Sequence, residues 1–281
     1  MTSTSGDAWT GGTFGTVATC VLADNAGPMT LDGTNTWVLR APGPVDAVRS
    51  VVVDPGPSSE AHLAAVAEAA GGPGHVATVL LTHHHLDHSE GARRFAELVG
   101  CGVRALDPAY RLGTEGLHDG DVVAVDGLEL AVVGTPGHTA DSLSFVVRAD
   151  APDRAVLTGD TVLGRGTTVV AHPDGKLGAY LDSLDRLHAL AEAHEVDVVW
   201  PGHGPVLGDA LAVLDHYLAH RRQRLEQVRE ALRTLDVPAD PAHHPEDLPR
   251  AVVELVYADV DPVLWGAAEL SVRAQLDYLR G

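Results

Sequence analysis

Short apolar runs that alternate with helical patterns constrain the fold of this chain more than any other feature of its sequence. The runs are bounded by turn-forming residues, and this arrangement is typical of buried β-strands. We predict strands at residues 36–40, 50–54, 76–81, 128–133, 143–147, 155–158 and 196–200. Amphipathic helical patterns lie between several of them, at residues 58–70, 90–98 and 178–193. Strands that alternate with helices predict an α/β layered fold.

The pattern changes after about Gly208. Residues 210–235 form one long amphipathic helical pattern, residues 237–249 contain four prolines, and residues 250–279 are helical again with a break near Asp261 and Pro262. Proline interrupts helices because it lacks the N–H donor and clashes with the preceding turn. We therefore predict a boundary, with an α/β domain at residues 1–209 and a helical domain at residues 210–281.

Composition limits the class of protein. The chain has 281 residues with 45% hydrophobic and 21% charged residues, which predicts a globular fold except in the first dozen residues. The chain lacks a signal-peptide pattern and any apolar stretch long enough to span a bilayer, so we expect a cytoplasmic protein without a membrane partner. The two cysteines, Cys20 and Cys101, are interpreted as core thiols rather than a disulfide framework.

Charge bears on nucleic-acid binding. The formal net charge of −20 argues against general affinity for nucleic acid, because such binding depends largely on neutralising phosphates. The basic run at residues 220–229, which contains Arg221, Arg222 and Arg224, is the place where a local patch could form. An ordinary solvated helix face is the alternative interpretation and is favoured by the charge pattern.

Polar side chains of metal-binding type follow the predicted strands closely. Imidazole and carboxylate groups supply the nitrogen and oxygen donors that suit zinc, iron or manganese. In open α/β sheets, ligands bind at the carboxyl ends of strands, which gives weak support for convergence of these groups. The residues are Asp54, His83, His85, Asp87, His88, His138, Asp160 and His203.

The stretch LTHHHLDHSE at residues 81–90 contains two half-sites. In extended backbone alternate side chains point to opposite faces, so His83 and His85 face one way and His84 faces the other. His84 is therefore predicted not to be a ligand. Asp87 and His88 follow where the chain must turn into a helix, and they can face a second point nearby.

The ordered set HxHxDH, TPGHT, TGDT and PGHG resembles the metallo-β-lactamase superfamily, and the similarity extends over roughly residues 27–281. The segments GPMTLDGTNTWVL, LTHHHLDHSEG, TPGHTADSLSF and LTGDTVLGRGTT are similar to the branch that contains β-lactamase-like protein 2. That branch includes an endoribonuclease, thioesterases of polyketide pathways and bacterial hydrolases. The resemblance implies a four-layer αββα sandwich followed by a small helical, winged-helix-like domain that is cut short before a wing.

The resemblance also implies a metal site with seven ligands. Two divalent transition-metal ions are expected, with zinc favoured and iron or manganese as alternatives, and a metal-bridging hydroxide would attack an ester, thioester or phosphodiester. Asp54 matches a position that supports a ligand histidine through its other ring nitrogen. Asp87 and Asp160 are the expected catalytic carboxylates. His83, His85 and His138 would hold the first ion, Asp87, His88 and His203 the second, and Asp160 would bridge both.

Three functional hypotheses stay open. Lactam hydrolysis is disfavoured, because class B β-lactamases lack a bridging aspartate equivalent to Asp160. A hydrolase of small esters or thioesters is the first hypothesis, with the C-terminal helices forming the wall of an acyl pocket. A single-strand-directed endoribonuclease is the second, although acidic residues in the C-terminal unit favour packing or homodimerisation there. A non-enzymatic metal-binding protein is the third.

Two further residues have open interpretations. Arg165 either contacts an anionic substrate or forms a surface salt bridge. His172 is interpreted as a loop residue, with lining of the pocket as the alternative.

Overall fold

The computed structural model describes residues 8–44, 46–149, 154–238 and 245–280. Residues 1–7 lie outside this part, as do residues 239–244 of the proline-containing segment, which include His243 and His244. The exclusion of the first dozen residues from the fold was wrong for residues 8–12. The indole nitrogen of Trp9 donates to Asn35 Oδ1 at 2.8 Å, and Gly12 begins a strand, so these residues are part of the first sheet region.

The first half of the chain forms a mixed six-stranded sheet in sequence order β1 to β6. The strands β4, β5 and β6 are parallel, and the others pair antiparallel. Parallel pairing requires crossover connections, which the helices α1 (Glu60–Ala69) and α3 (Ala92–Val99) supply. The strands are β1 (Gly12–Phe14), β2 (Ala18–Leu22), β3 (Asn35–Leu39), β4 (Ser50–Val53), β5 (Val76–Leu80) and β6 (Gly102–Arg104).

The second half forms another six-stranded sheet, in the order β12-β11-β10-β9-β8-β7. Only β10 and β11 are parallel among these described strands, and the long helix α4 (Leu177–Ala193) connects them. The strands are β7 (Val122–Val125), β8 (Leu128–Gly134), β9 (Leu143–Ala149), β10 (Ala155–Gly159), β11 (Val198–Pro201) and β12 (Leu207–Gly208).

The two sheets pack face to face over one apolar core. Side chains of both sheets are buried in it, including Trp37, Leu128 and Phe145. The rings of Trp37 and Trp200 stack between the sheets with centroids 5.2 Å apart. Each of these side chains removes a large apolar area from water, so this layer contributes much of the driving force for folding.

Helices cover the outer face of each sheet. On the first sheet pack α1 (Glu60–Ala69) and α3 (Ala92–Val99), through residues such as Leu63 and Phe95. On the second sheet pack α4 (Leu177–Ala193) and the first half of α5 (Ala210–Thr234). The short helix α2 (Leu86–Ser89) lies between β5 and α3. The predicted four-layer αββα sandwich is confirmed.

The C-terminal helices form a fourth apolar cluster. It joins the second half of α5 to α6 (Leu248–Val256) and α7 (Trp265–Arg280), through Val228, Val252 and Val272. Between residues 210 and 280, the described parts contain helices and no strand, so a wing is not formed there. The helix α5 contributes to both the sandwich core and this cluster, and the predicted division at residue 209 falls at its start.

All seven predicted strands and the predicted helices are present, with ends shifted by a few residues. Sequence reasoning missed five strands, namely β1, β2, β6, β7 and β12. No helix in the described ranges is long and apolar enough to cross a membrane.

Candidate metal centre

Loops at the ends of five strands meet at one edge of the sandwich. Asp54 directly follows β4, and the segment from Leu81 to His85 connects β5 to α2. His138 lies in the turn between β8 and β9, Asp160 follows β10, and His203 follows β11. The parallel pairs β4–β5 and β10–β11 direct their carboxyl ends to the same edge, so the fold brings together residues that lie far apart in sequence.

Three imidazoles form the first group of donors, called group 1, which consists of His83, His85 and His138. The Nδ1 atom of His85 lies 3.1 Å from His83 Nε2 and 3.0 Å from His138 Nε2. His83 and His138 are buried, while His85 is partly exposed. Three ring nitrogens at this spacing surround a volume that suits one ion with tetrahedral nitrogen and oxygen ligands.

Two imidazoles and a carboxylate form the second group, called group 2, which consists of Asp87, His88 and His203. The Nε2 atoms of His88 and His203 are 3.2 Å apart. Asp87 Oδ2 lies 3.1 Å from His203 Nε2 and 3.5 Å from His88 Nε2. The two histidines are buried, and the side chain of Asp87 is 28% exposed, so this group opens to solvent on the side of Asp87.

Asp160 lies between the two groups. Its Oδ1 atom is 3.4 Å from both His88 Nε2 and His203 Nε2, and its Oδ2 atom is 3.7 Å from His138 Nε2. Oδ1 is buried and makes no hydrogen bond within the described residues. A buried carboxylate oxygen without a partner is costly, and a cation on that side would satisfy it. The donor set therefore fits two divalent ions with Asp160 between them.

The second ring nitrogen of each buried imidazole is held in place by the protein. His88 Nδ1 lies 2.8 Å from Asp54 Oδ2, in agreement with the predicted supporting role of Asp54. His138 Nδ1 lies 2.6 Å from the carbonyl oxygen of Val169, and His203 Nδ1 lies 3.1 Å from that of Gly33. Such contacts fix the tautomer and direct the Nε2 lone pair toward the site.

Asp54 is itself fixed by the loop that carries the histidines. Its Oδ1 accepts from the Thr82 backbone N–H at 2.8 Å, and its Oδ2 accepts from the Thr82 hydroxyl at 2.7 Å. The backbone of Asp54 has φ of 51°, a left-handed conformation that aspartate and asparagine tolerate better than most residues. The turn therefore directs the carboxylate back under the β5 loop.

The two groups differ in electrostatics. Burial is the main cause of a lowered pKa for the imidazoles of group 1, to about 4 in the case of His85. In group 2, burial acts in the same direction, but Asp160 and Asp87 outweigh it and raise the pKa of His203 to about 9. Burial also opposes the charge of Asp87, and the neighbouring His88 and His203 nevertheless lower its pKa to about 2. The carboxylates of Asp87 and Asp160 therefore place negative charge beside the imidazoles of group 2, and a cation would neutralise it.

Gly202 allows the close approach of the two groups. A Cβ atom at this position would lie 2.6 Å from Asp160 Oδ1 and 2.8 Å from His88 Cε1. Any side chain would therefore displace the carboxylate or the imidazole. The glycine that precedes His203 in PGHG is therefore required by the space inside the site.

The structure thus brings together all seven residues that the sequence predicted as ligands, in the predicted groups. Their role in binding metal remains a prediction. The side chain of His84 points away from both groups, and its Nδ1 contacts Asp141 Oδ1 at 2.8 Å. The alternation of side chains in the extended segment explains this difference between His84 and its neighbours.

A cavity of about 290 Å³ opens beside the donor groups and is called here the central cavity. His138 and Asp160 form part of its wall, and residues of α5, α7, the segment between α6 and α7 and the loops after β2 and β10 form the rest. Its lining is mainly apolar, as is typical of small-molecule sites. The apolar lining residues include Met29, Leu31, Leu163, Val169, Val260, Leu264 and Ala268.

The basic run at residues 220–229 of α5 forms neither the surface patch nor the solvated helix face that its sequence suggested. Arg221 is buried and Arg224 is partly buried, and both line the central cavity, whereas Arg222 is exposed. Neither a continuous surface patch nor a fully solvated face is formed. The helical period places residues 221, 224 and 225 on the inward side of α5. This spacing was not recognised in the sequence because two of the three residues are charged.

Arg165 lines the same cavity and forms an ion pair with Asp32, so the salt bridge is confirmed, and contact with an anionic substrate stays a prediction. His172 lies outside the central cavity, and its Nε2 contacts Asp277 Oδ2 at 2.8 Å. Both cysteines are free, with Cys20 buried and Cys101 partly buried.

Comparison with known proteins shows which family this chain resembles in sequence. The model of the metallo-β-lactamase superfamily matches residues 29–203. A β-lactamase-like protein 2 homolog from Caenorhabditis elegans is 32% identical over 256 residues, which are 86% of this chain and 76% of that protein. An atrochrysone carboxyl ACP thioesterase from Aspergillus fumigatus is 33% identical over 223 residues, which are 76% of this chain. The match spans only 64% of the length of that protein.

The fold is similar to that of solved structures. A β-lactamase domain protein from Burkholderia ambifaria has a TM-score of 0.74 with 22% sequence identity. The alignment covers 96% of this chain and 87% of that one, so the similarity of fold includes the C-terminal helices.

Proposed function

The chain belongs to the metallo-β-lactamase superfamily of metal-dependent hydrolases, and on that premise we propose that it hydrolyses a small ester or thioester. The observation that carries this proposal is the position of the central cavity, whose mainly apolar wall also includes His138 of group 1 and Asp160. A substrate in this cavity would have its acyl group against the apolar side chains and its carbonyl group at the metal centre.

We assign the metal ligands as the sequence predicted them. His83, His85 and His138 would hold one ion, and Asp87, His88 and His203 the other, with Asp160 between the two. Bound divalent ions lower the pKa of water and stabilise negative charge that develops on a carbonyl oxygen. The unpartnered Oδ1 of Asp160 supports this assignment, and we favour zinc because imidazole and carboxylate ligands suit it.

The protein itself contributes orientation and exclusion of water. The contacts of His88 with Asp54, and of His138 with Val169, hold the imidazoles in one orientation before substrate binds. Asp87 is partly exposed and faces solvent, so its carboxylate is suited to accept a hydrogen bond from the attacking water. In the reaction, the water oxygen adds to the carbonyl carbon, the C–S or C–O bond breaks, and the thiol or alcohol leaves with a proton.

Charge and enclosure favour a small molecule over RNA. The net charge of −20 opposes the approach of a polyanion, and Arg221 and Arg224 of the basic run are directed inward to the central cavity. The similarity to a protein named as a thioesterase supports a thioester in particular. Cleavage of single-stranded RNA is the second candidate, supported by the similarity to a β-lactamase-like protein 2 homolog.

The remaining assignments are proposals of the same kind. We place the end of the catalytic domain at residue 209 and assign residues 210–281 to the wall of the cavity rather than to nucleic-acid binding. Packing of α6 and α7 on α5 supports this role. A homodimer and a cytoplasmic location remain predictions.

A substrate panel tests the proposal. The metal-loaded protein is assayed with thioesters of N-acetylcysteamine, with simple alkyl esters and with a single-stranded RNA oligonucleotide. Asp160→Ala protein, purified identically, controls for contaminating hydrolases. We expect thioester or ester turnover that disappears in the variant. RNA cleavage that disappears in the variant, without ester or thioester turnover, would contradict the proposal and favour the nuclease.

A further inference from the structure

Two arginine side chains in the central cavity have no acidic partner. Within the described residues, no carboxylate oxygen lies within 4.0 Å of the guanidinium of Arg221 or Arg224, whereas Arg165 in the same cavity is paired with Asp32. Asp160 is the acidic residue of the lining, and it lies between the two donor groups. The cavity therefore carries positive charge that the protein does not neutralise.

Arg221 is the more deeply buried of the two, with only 3% of the residue exposed. One of its guanidinium nitrogens, Nη2, donates to the carbonyl oxygen of Thr168 at 2.6 Å, and the guanidinium carbon lies 4.7 Å from the centre of the Tyr180 ring. Its Nε–H group is buried and makes no hydrogen bond to any described residue. Burying a guanidinium without an anion is costly, and the contacts of Arg221 within the described residues are with neutral groups, so its charge is unpaired there.

Arg224 follows on the same side of the helix. Its Nη1 donates to the carbonyl oxygen of Val256 at 2.7 Å and to Gln227 Oε1 at 2.9 Å. Its guanidinium carbon lies 4.6 Å from the centre of the Tyr257 ring. These neutral contacts orient the guanidinium and leave its charge available.

His220 completes the polar part of this wall. Its Nδ1 is buried and also makes no hydrogen bond within the described residues. Burial, followed by the two neighbouring arginines, lowers the pKa of His220 to about 4, so the imidazole is neutral at pH 7. A neutral ring adds a hydrogen-bonding group without adding charge, so the two guanidinium groups are the available charges.

We propose that Arg221 and Arg224 form an anion-binding subsite, and that the substrate is a small ester or thioester carrying a carboxylate several bonds from its scissile carbonyl. This inference rests on the proposed function, because it concerns the substrate of the same centre. The carboxylate would pair with the guanidinium groups of Arg221 and Arg224, which line the cavity, while the apolar side chains of Met29 and Leu264 would contact the hydrocarbon part. The cavity volume of about 290 Å³ suits one small molecule rather than a strand of RNA.

A merely structural role for Arg221 is the competing explanation, because Thr168 also contacts His138, with 3.2 Å between Thr168 Oγ1 and His138 Nδ1. Loss of such a support would slow the hydrolysis of every substrate. Loss of an anion contact would affect only substrates that carry the anion. The test therefore compares matched substrates.

The probes are three thioesters. Hexanoyl-N-acetylcysteamine is neutral, adipoyl-N-acetylcysteamine adds a carboxylate to the acyl end, and hexanoyl-N-acetylcysteine adds one to the leaving group. We expect kcat/KM for one of the two anionic thioesters to exceed that of the neutral thioester by about tenfold or more, the usual effect of a hydrogen bond between charged groups. Equal values for all three would overturn the proposal.

Variants assign the preference to the two arginines. Arg221→Gln and Arg224→Gln should each remove most of the preference, measured as the ratio of kcat/KM for the anionic thioester to kcat/KM for the neutral thioester. Arg221→Lys should retain part of the preference because the charge remains. Arg233→Gln is the matched control, because Arg233 is exposed on the same helix and pairs with Glu230. A preference that survives in both glutamine variants would overturn the proposal.

A binding measurement separates this inference from the proposed hydrolysis. If none of the thioesters is hydrolysed, calorimetry compares adipate with hexanoate on the metal-loaded protein, since both offer one carboxylate to the metals and only adipate offers a second. Tighter binding of adipate by about tenfold, lost in Arg221→Gln protein and retained in Arg233→Gln protein, would support the subsite although the proposed reaction had failed. Equal binding of the two acids, or RNA cleavage that depends on Arg221, would overturn it.

Discussion

The strand-end loops and the C-terminal helical wall make different contributions to the same cavity. The loops supply the seven donor residues, which are held by short contacts such as the 2.8 Å separation between His88 Nδ1 and Asp54 Oδ2. The wall supplies apolar side chains and two arginines held by carbonyl groups and aromatic rings. The chemistry of hydrolysis is therefore assigned to the sheets, and the choice of substrate to the helices.

This difference teaches how such a fold can change its substrate. The donor residues are constrained from all sides, as Gly202 demonstrates by having no space for a Cβ atom. The wall is made of helices that pack largely through apolar contacts, so its apolar side chains can be exchanged without altering the metal centre, whereas Arg221 reaches His138 through Thr168. Changes in the two regions should therefore have separable effects.

The largest effect is expected for Asp160→Ala. The substitution removes the carboxylate between the two donor groups, so turnover should fall on the order of 1,000-fold and metal content should fall with it. Steady-state kinetics and elemental analysis measure the two effects. The matched control is His84→Ala, because His84 faces Asp141 instead of the centre. Equal losses in the two variants would show that the assignment of ligands within residues 83–88 is wrong.

Gly202→Ala tests the space within the centre. The added methyl group would collide with Asp160 Oδ1 and His88, so turnover should fall on the order of 100-fold, the usual cost of displacing catalytic groups by about 1 Å. Gly208→Ala is the matched control on the neighbouring strand, because a methyl group there would have no atom within 4 Å beyond its own chain neighbours. Comparable activity in both alanine variants would contradict the close approach of the two donor groups.

A smaller effect is expected for Asp54→Asn. Asparagine tolerates the same left-handed backbone, and it removes the negative charge beside His88 Nδ1. Metal affinity or activity should decrease by roughly 10-fold to 100-fold, as is usual when the partner of a ligand histidine is lost. Competition with a chelator of known affinity measures the change. Unchanged metal affinity and activity would show that Asp54 does not support His88.

Val252→Ala tests whether the helical wall can be altered without changing the metal centre. Val252 is fully buried between α6 and its neighbours, so its truncation should lower the free energy of unfolding by about 1–3 kcal/mol. Urea denaturation measures this change, while metal content should stay the same because the donor loops are untouched. Loss of metal in this variant would show that the two regions are not separable.

The residue patterns predicted an α/β layered fold and candidate donor residues for physical reasons that can be named, while the four-layer sandwich and the full ligand set were implied by the resemblance to the metallo-β-lactamase superfamily. Buried strands require apolar runs, and the donor residues follow those runs at the turns. His84 could be separated from His83 and His85 because alternation in an extended segment is a local property. The short strands β7 and β12 were missed because their patterns are brief, and Val122 of β7 is half exposed.

The wall could not be predicted in the same way. Arg221 and Arg224 have the composition of a solvated helix face, and only the packing of α5 against α6 and α4 directs them inward. The contact between Thr168 and Arg221 joins residues 53 positions apart in the chain, so no local pattern indicates it. The residues that choose the substrate are therefore the part of the site that required the structure.

The metal content of the purified, folded chain tests the central claim most directly. Elemental analysis of the wild-type protein after metal supplementation and removal of loosely bound ions should find about two divalent transition-metal ions per chain. The substitution His83→Ala should lower the metal content by the ion of group 1, and His203→Ala should lower it by the ion of group 2. A correctly folded wild-type chain that retains no metal under these conditions would contradict the account.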